Sequence, residues 1–483
     1  MSTHYDVLII GAGISGIGMA CHLARECPHK QVAILERRHA IGGTWDLFRY
    51  PGIRSDSDMM SFGYTFRPWA DTRILADGPS IKNYVTDTAR EYGIDQKIHF
   101  GLQVQSANWS SQEQIWTVVV LDEQASETRS FSSKFLISAT GYYNYDQGYL
   151  PSFAGIEQFK GTCIHPQFWP EALDYAGKRV VVIGSGATAV TLLPAMANDA
   201  AHITMLQRSP SYVYSLPAID KSASILHSML PESWVYSFSR NRNIRLQRLI
   251  YKLSRRFPAQ MKKLLLASVR RQVGKDFDMT HLTPKYMPWD ERLCAVPDGD
   301  LFRVLREGKA SIVTDHIEQF TPQGILLKSG QELTADLVIT ATGLQLQTMG
   351  GMNLTLDGKP VNMSNRMTYK GVLVEDMPNF GYLFGYTNIS WTLKIDLAAA
   401  YLCRLINEMD GRHATAVIPH ALSGERTEES ILGSLQSGYV QRGSSTLPRQ
   451  GRSGFWRVQH HLEHDRTMFK QPIDDKALEW ITR

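Results

Sequence analysis

Two short glycine-rich segments constrain this chain more than any other feature. Gly11-Ala-Gly13-Ile-Ser15-Gly16 and Gly184-Ser185-Gly186-Ala187-Thr188-Ala189 each follow an apolar run, residues 5–10 and 178–183, of the kind that forms a buried parallel strand. A strand that ends in such a turn and continues as a helix makes the phosphate-binding corner of a dinucleotide fold. The glycines allow a tight turn and close backbone approach, and the helix N-terminus stabilises an anionic pyrophosphate. In the first unit the helix is expected to extend to about Cys27, and a second strand, residues 31–36, ends in Glu36, twenty residues past Gly16. A carboxylate there accepts hydrogen bonds from ribose hydroxyls, so the first unit predicts a dinucleotide site. In the second unit the strand at 202–206 ends in Gln207-Arg208, where NAD sites carry an acid. A guanidinium forks onto a 2′-phosphate and no carboxylate repels it, which predicts NADP(H).

At 483 residues the chain exceeds the ~250–300 at which single cores split. The two units therefore predict an α/β fold with two Rossmann-like dinucleotide-binding domains. Residues 1–140 form the first part of one domain. Residues 141–340 form the second, interrupted by a helical insertion at about 210–290. Residues 341–483 return to the first domain and end in a tail whose pattern after about 420 is weak. Ala139-Thr140-Gly141 and Ala341-Thr342-Gly343, each after an apolar strand, mark the crossings. Short strands are expected between about 99 and 137, including one at Val104 and one over 116–120.

Composition excludes several classes. No apolar run approaches the ~18 residues needed to span a bilayer, and the apolar start at 7–10 enters a glycine turn without a basic leader. The cysteines at 21, 27, 163, 294 and 403 contain no C-x-x-C pair. That fits a reducing, cytoplasmic setting and argues against a dithiol centre or a cysteine zinc site; no metal is expected. Residues 240–275 hold twelve Lys/Arg and no acid, so a net charge of +4 becomes −8 for the remainder. Leu246, Leu249, Ile250 and Leu253 lie there at helical spacing. Two readings stay open: a solvated basic face, or a reversible contact of Arg240–Lys275 with an anionic membrane surface. Nucleic acid is not expected, because aromatic residues are not interleaved.

Three further segments carry chemistry. Phe159-Lys-Gly161-Thr-Cys-Ile-His165-Pro-Gln-Phe-Trp169-Pro170 lies between the two units, and by itself reads as a packed linker with a satisfied histidine. Gly42-Gly43-Thr44-Trp45-Asp46-Leu47-Phe-Arg-Tyr50-Pro51-Gly52-Ile-Arg54-Ser55-Asp56 offers either a helix cap at Asp56 and a core tryptophan, or a loop along a cofactor. Pro288-Trp-Asp-Glu291-Arg292 holds an arginine that, alone, reads as a surface or salt-bridge group.

Together these segments resemble the signatures of type I Baeyer–Villiger monooxygenases, most of all the subgroup of mycobacterial ethionamide-activating monooxygenases. The resemblance runs from Asp6 to at least Trp391. It implies that FAD occupies the first unit, held by Gly11, Gly13, Ser15, Gly16, Glu36, Thr44, Trp45, Asp46, Leu47, Asp56 and the backbone at Val104. It implies NADP on Arg54, Ser55, Gly184, Ser185, Gly186, Ala187, Thr188, Ala189, Gln207 and Arg208. Arg292 and Asp56 take the catalytic roles, while Phe159, Gly161, His165, Trp169 and Pro170 form the fingerprint that couples domain movement to cofactor binding. Glu291 departs from the pattern, since the family often carries a lysine there that helps hold NADP. The implied reaction inserts one oxygen of O2 into lipophilic ketones, giving esters or lactones, with oxidation of thioethers and thioamides such as ethionamide beside it. A flavin monooxygenase confined to nitrogen and sulfur, and a flavin-binding sensor without catalysis, remain the alternatives. Ser390 is expected to cap a helix whose N-terminus faces the flavin.

Overall fold

The computed structural model describes residues 3–291, 293–433, 437–473 and 476–482. Thr3–Ile10 is the centre of the first sheet. Val32–Leu35 and Glu127–Ser138 flank it in parallel, Ile98–His99 extends one side, and Phe380–Tyr382 joins the other. Side chains alternate across a strand, so Val7 and Ile9 enter one core and Leu8 and Ile10 another. Helices Ile14–Glu26, Gly78–Glu91 and Trp391–Gly411 cover the first face. On the other side lies an antiparallel meander of Leu102–Ser110, Ile115–Asp122 and the start of Glu127–Ser138. A strand buried on both faces must be apolar throughout, which is why the run at 7–10 lacks a polar residue. The meander strands are 9, 8 and 12 residues long, not short as the sequence suggests, because their solvent-facing positions are polar and mask the pattern.

The second half repeats this plan. Its sheet runs Ala310–Thr314, His202–Gln207, Arg179–Ile183, Leu337–Ile339, Thr162–Ile164, all parallel. Val180 and Val182 face the helix Ala187–Met196, while Val181 and Ile183 face a second antiparallel meander. The two chain segments that cross between the halves, Tyr143–Gly148 and Leu344–Leu346, pair antiparallel as one ribbon.

Three helices, Lys221–His227, Glu232–Arg256 and Pro258–Val273, make the insertion. Val213–Leu216 pairs in parallel with Cys294–Pro297 and ties off its base. Much of its positive charge is structural. Arg240 is buried and donates from Nη1 to the carbonyls of Met60 (2.8 Å) and Gly63 (2.6 Å). Arg242 pairs with Asp220, Arg248 with Glu463 and Arg255 with Asp290, and Lys262 donates to the Pro284 carbonyl.

The tail is ordered by contact with the first half. Ala414–Pro419 pairs with Leu478–Thr482, and helix Leu462–Lys470 packs on Trp391–Gly411. Among the described residues no helix is long and apolar enough to cross a membrane.

The Arg240 guanidinium serves carbonyls at the end of the short helix Met59–Phe62 that have lost their water. Arg240→Met should leave them unpaired at a cost of roughly 3 kcal/mol. A lower melting temperature and early proteolysis within 221–273 are expected; melting and cleavage identical to wild type would contradict the clamp.

Candidate active site

Both glycine turns press against the strand that leaves their own domain. Gly11 has φ +104°, and a Cβ on it would stand 2.8 Å from the Ala139 carbonyl oxygen. Gly184 has φ +140°, and its Cβ would strike the Ala341 carbonyl. Only glycine combines this backbone with this contact. The helices that follow, Ile14–Glu26 and Ala187–Met196, begin at Gly13 and Gly186, and neither N-terminus is capped by a side chain. Each therefore turns unsatisfied N–H groups outward, the property an anionic pyrophosphate requires.

The first turn opens onto a cleft of about 1450 Å³ of empty space, its open mouth included. The cleft runs from the glycine turn past Glu36 to Trp45 and Asp56, an elongated lining that suits an extended dinucleotide. Gly11, Gly13, Ser15, Glu36, Thr44, Trp45, Ser55, Asp56 and Val104 line it. Glu36 is buried; one carboxylate oxygen accepts from Ala12 N–H at 2.6 Å and the other from Arg38 N–H at 2.8 Å. Burial raises its pKa, against the pull of these two bonds and of Arg38. The carboxylate thus braces the glycine turn and retains lone pairs facing the cleft.

The loop from Gly42 to Asp56 joins the two halves. Asp46 is buried and accepts from Lys82 Nζ and Arg38 Nε, both at 2.6 Å. Burial alone would raise its pKa, but these two cations hold it below the usual carboxylate range. Leu47, Phe48 and Tyr50 instead enter the core of the second domain. Burial pushes Tyr50 up to about 12, and its hydroxyl meets Thr188 at the start of the second-domain helix. Arg54 forms a forked pair with Asp300, at 2.6 and 3.4 Å. Ser55 is buried, with its hydroxyl bonded to the Ser57 backbone. The helix-capping role falls to Asp58, which accepts from Ser61 N–H at 3.1 Å, and leaves Asp56 in the cleft wall. Trp45 lines the cleft with its edge against Phe62, at 5.9 Å between ring centroids.

Arg292 lies outside the described residues. The strand after it is anchored at Cys294, beside Tyr214, whose hydroxyl is pushed up first by burial and then by Asp56 and Cys294. Its neighbour Glu291 is partly buried; burial raises its pKa, while Arg208 opposes the shift. Arg208 is exposed, whereas Gln207 is buried and gives its amide to His281 O and Thr314 Oγ1. Ser185 bonds the Ser209 carbonyl at 2.9 Å. In the fingerprint, Phe159 packs on Phe320 and Trp169 on Tyr175. Gly161 leaves no room for a Cβ beside the Asp336 carbonyl. His165 Nδ1 accepts from Gln167 N–H (3.2 Å) and Nε2 lies 3.1 Å from the Gly343 carbonyl, which it reaches as a donor. Burial lowers the pKa of this ring, so it stays neutral with the proton on Nε2.

Several site residues escaped the sequence reading. Tyr142, Tyr143, Tyr145, Met349, Gly350, Tyr386 and Trp391 also line the cleft. Trp391 Nε1 donates to Ser15 Oγ at 2.8 Å, so the return segment holds the first glycine turn. Arg442, from the tail, stacks on Tyr149 at 3.4 Å; burial and then Arg208 lower its pKa. Ser390 stands at the start of its helix but its side chain makes no capping bond.

Two strand–glycine turn–helix cradles, the first of them opening onto the cleft, define a protein with two dinucleotide-binding units. The flavin-binding monooxygenase-like family model matches residues 4–348. The FAD-containing monooxygenase MymA of Mycobacterium tuberculosis is 56% identical over 483 residues, covering 99% of this chain and 98% of MymA. EthA of the same organism is 49% identical, covering 100% and 99%. A steroid monooxygenase solved with NADP superposes with a TM-score of 0.77 at 22% identity, covering 100% of both chains. The chain belongs to the flavin-binding monooxygenase-like family.

Replacing Gly11 by Val would force a branched side chain into a left-handed backbone and onto the Ala139 carbonyl, at a cost on the order of 1–3 kcal/mol in strain alone. The purified variant should retain far less flavin than wild type, read as the flavin-to-protein absorbance ratio. Full flavin occupancy would contradict the cradle.

Proposed function

We propose that this enzyme uses FAD and NADPH to insert one oxygen atom of O2 into lipophilic ketones, and that it also oxidises thioethers and thioamides. The observation that carries this reading is Asp56 in the wall of the cleft that the first glycine turn opens onto, with the helix cap taken by Asp58 instead. When bound, reduced FAD supplies the reaction with O2 and the oxygen that is transferred; this chain supplies position and charge.

Glu36 and the Gly11–Gly16 turn hold the FAD. The second turn holds NADP, with Arg208 against the 2′-phosphate and Arg54 indirect, because Asp300 already occupies its guanidinium. Arg292 stabilises negative charge on the attacking oxygen and on the oxyanion that forms at the carbonyl, an effect that can supply several kcal/mol in a water-poor site. Asp56 balances that cation. His165 and Trp169 do not reach substrate; His165 ties the second domain to the crossing ribbon at Gly343 and so transmits domain movement. The protein is read as cytoplasmic, with a reversible contact between its basic insertion and an anionic membrane surface.

Product analysis by mass spectrometry, with NADPH, O2 and a panel of aliphatic ketones and thioethers, tests the reaction. Ester formation is expected; sulfoxide without ester would favour the enzyme confined to nitrogen and sulfur, and NADPH oxidation unaffected by any substrate would favour a sensor. Arg292→Ala should keep flavin bound and reducible while ester formation falls by about a hundredfold or more. Arg208→Ala should raise the KM for NADPH roughly tenfold or more and leave NADH nearly unchanged. Equal losses with both cofactors would sink the 2′-phosphate role.

A further inference from the structure

The helix Glu232–Arg256 has two different faces. Val235, Tyr236, Ser239, Arg240 and Ile244 are buried against the first domain. The opposite side leaves large apolar side chains in solvent: Trp234 is 68% exposed and Phe238, one turn on, 56%. Met229, just before the helix, is 74% exposed, and Leu230, Leu249 and Leu253 are also exposed. Scattered apolar residues on a surface are ordinary, but these are gathered along one element about 37 Å long at 1.5 Å per residue.

A row of cations runs beside them. Arg245, Lys252 and Arg256 lie on the exposed side of the same helix, and Lys263 is exposed on the next. Among the described residues none of these four meets an acidic side chain within ion-pair distance, unlike Arg242, Arg248 and Arg255. The structure thus separates the basic segment into cations that dock the insertion and cations that face outward with the apolar ridge. The rest of the chain carries a net −8, so the outward positive charge is local.

We propose that this face is an in-plane anchor for an anionic bilayer. Met229, Leu230, Trp234 and Phe238 enter the boundary between headgroups and acyl chains, while Arg245, Lys252, Arg256 and Lys263 contact acidic headgroups. Charge complementarity selects the occupant. A second copy of this chain would bring an identical cation row against this one, whereas an anionic lipid surface neutralises it and accepts the apolar side chains at the same depth. The anchor deepens the reading of a membrane-associated oxygenase by naming its partner and its contact residues; it takes no part in the oxygen chemistry.

The test uses flavin-loaded protein and vesicles of phosphatidylcholine alone or mixed with phosphatidylglycerol. Sedimentation at low salt should carry the protein down only with the anionic vesicles, and high salt should release it. Bromolipids should quench part of the tryptophan fluorescence, and Trp234→Phe should remove that quenched part. Reversing Arg245, Lys252, Arg256 and Lys263 to Glu should reduce partitioning by roughly a hundredfold or more. The pair Trp234→Ser and Phe238→Ser should weaken it while charge is unchanged. Flavin content and turnover of a water-soluble thioether report the oxygenase separately and should stay at wild-type values in every variant. Equal binding to both vesicle types, or no effect of the reversals or of the serine pair, would overturn the anchor. So would self-association in sedimentation velocity that is abolished by the serine pair, because the ridge would then belong to a second copy.

Discussion

The structure depends on one backbone contact made twice. Each glycine turn rests on the carbonyl of an alanine just past the end of a strand of its own sheet, Gly11 on Ala139 and Gly184 on Ala341. From each alanine the chain passes through Thr-Gly directly into the ribbon that crosses between the halves. Cofactor cradle and interdomain hinge are therefore adjoining parts of the same backbone. A shift of one half against the other must be absorbed within a few residues of a cradle. His165, through its bond to the Gly343 carbonyl, links the second domain to the ribbon.

Buried charge fixes the irregular parts that repetitive hydrogen bonding cannot. The loop from Gly42 to Asp56 has almost no regular structure, yet it is pinned at Asp46 by two cations, at Tyr50 through Thr188 and at Arg54 by Asp300. A buried ion left alone costs several kcal/mol, so each partner specifies one position for the loop. The insertion is held in the same way by Arg240. Part of the positive charge in this segment is therefore structural, which a count along the sequence cannot tell.

Local rules made both nucleotide units legible. Strand, glycine turn, helix and terminal acid or arginine occur within some thirty residues, and short-range geometry dictates each of them. The helical insertion was legible for the same reason. Contacts between distant segments were not. Nothing near Ser15 announces Trp391, and nothing near Tyr386 announces Asp465. Ser55-Asp56-Ser57-Asp58 offered several possible caps, and only the direction of the following turn selects Asp58. Ser390 illustrates the converse: a favourable capping residue at a helix start makes no cap, its hydroxyl lying 3.4 Å from that of Thr392. Leu47 was placed with the flavin loop by position in a motif, but its side chain turns into the second domain.

The tail shows why weak patterning is a poor guide to importance. Its helix Leu462–Lys470 is short, yet Asp465 enters the protein beneath the cleft and accepts from Lys394 Nζ at 2.8 Å and from the Tyr386 hydroxyl at 2.7 Å. Tyr386 lines the cleft, and Lys394 lies in the first turn of the helix that begins at Trp391, whose indole holds Ser15. Burial opposes the Asp465 charge, but Lys394 together with the hydrogen bonds from Tyr386 and His464 outweighs it and holds the carboxyl below its ordinary range. Neither charge can remain in that interior without the other. The chain's last helix thereby becomes a condition for the position of a cleft wall and, through Trp391, of the first glycine turn. Sequence periodicity could not reveal this, because a single buried carboxylate has no period; it acts through the one lysine it neutralises.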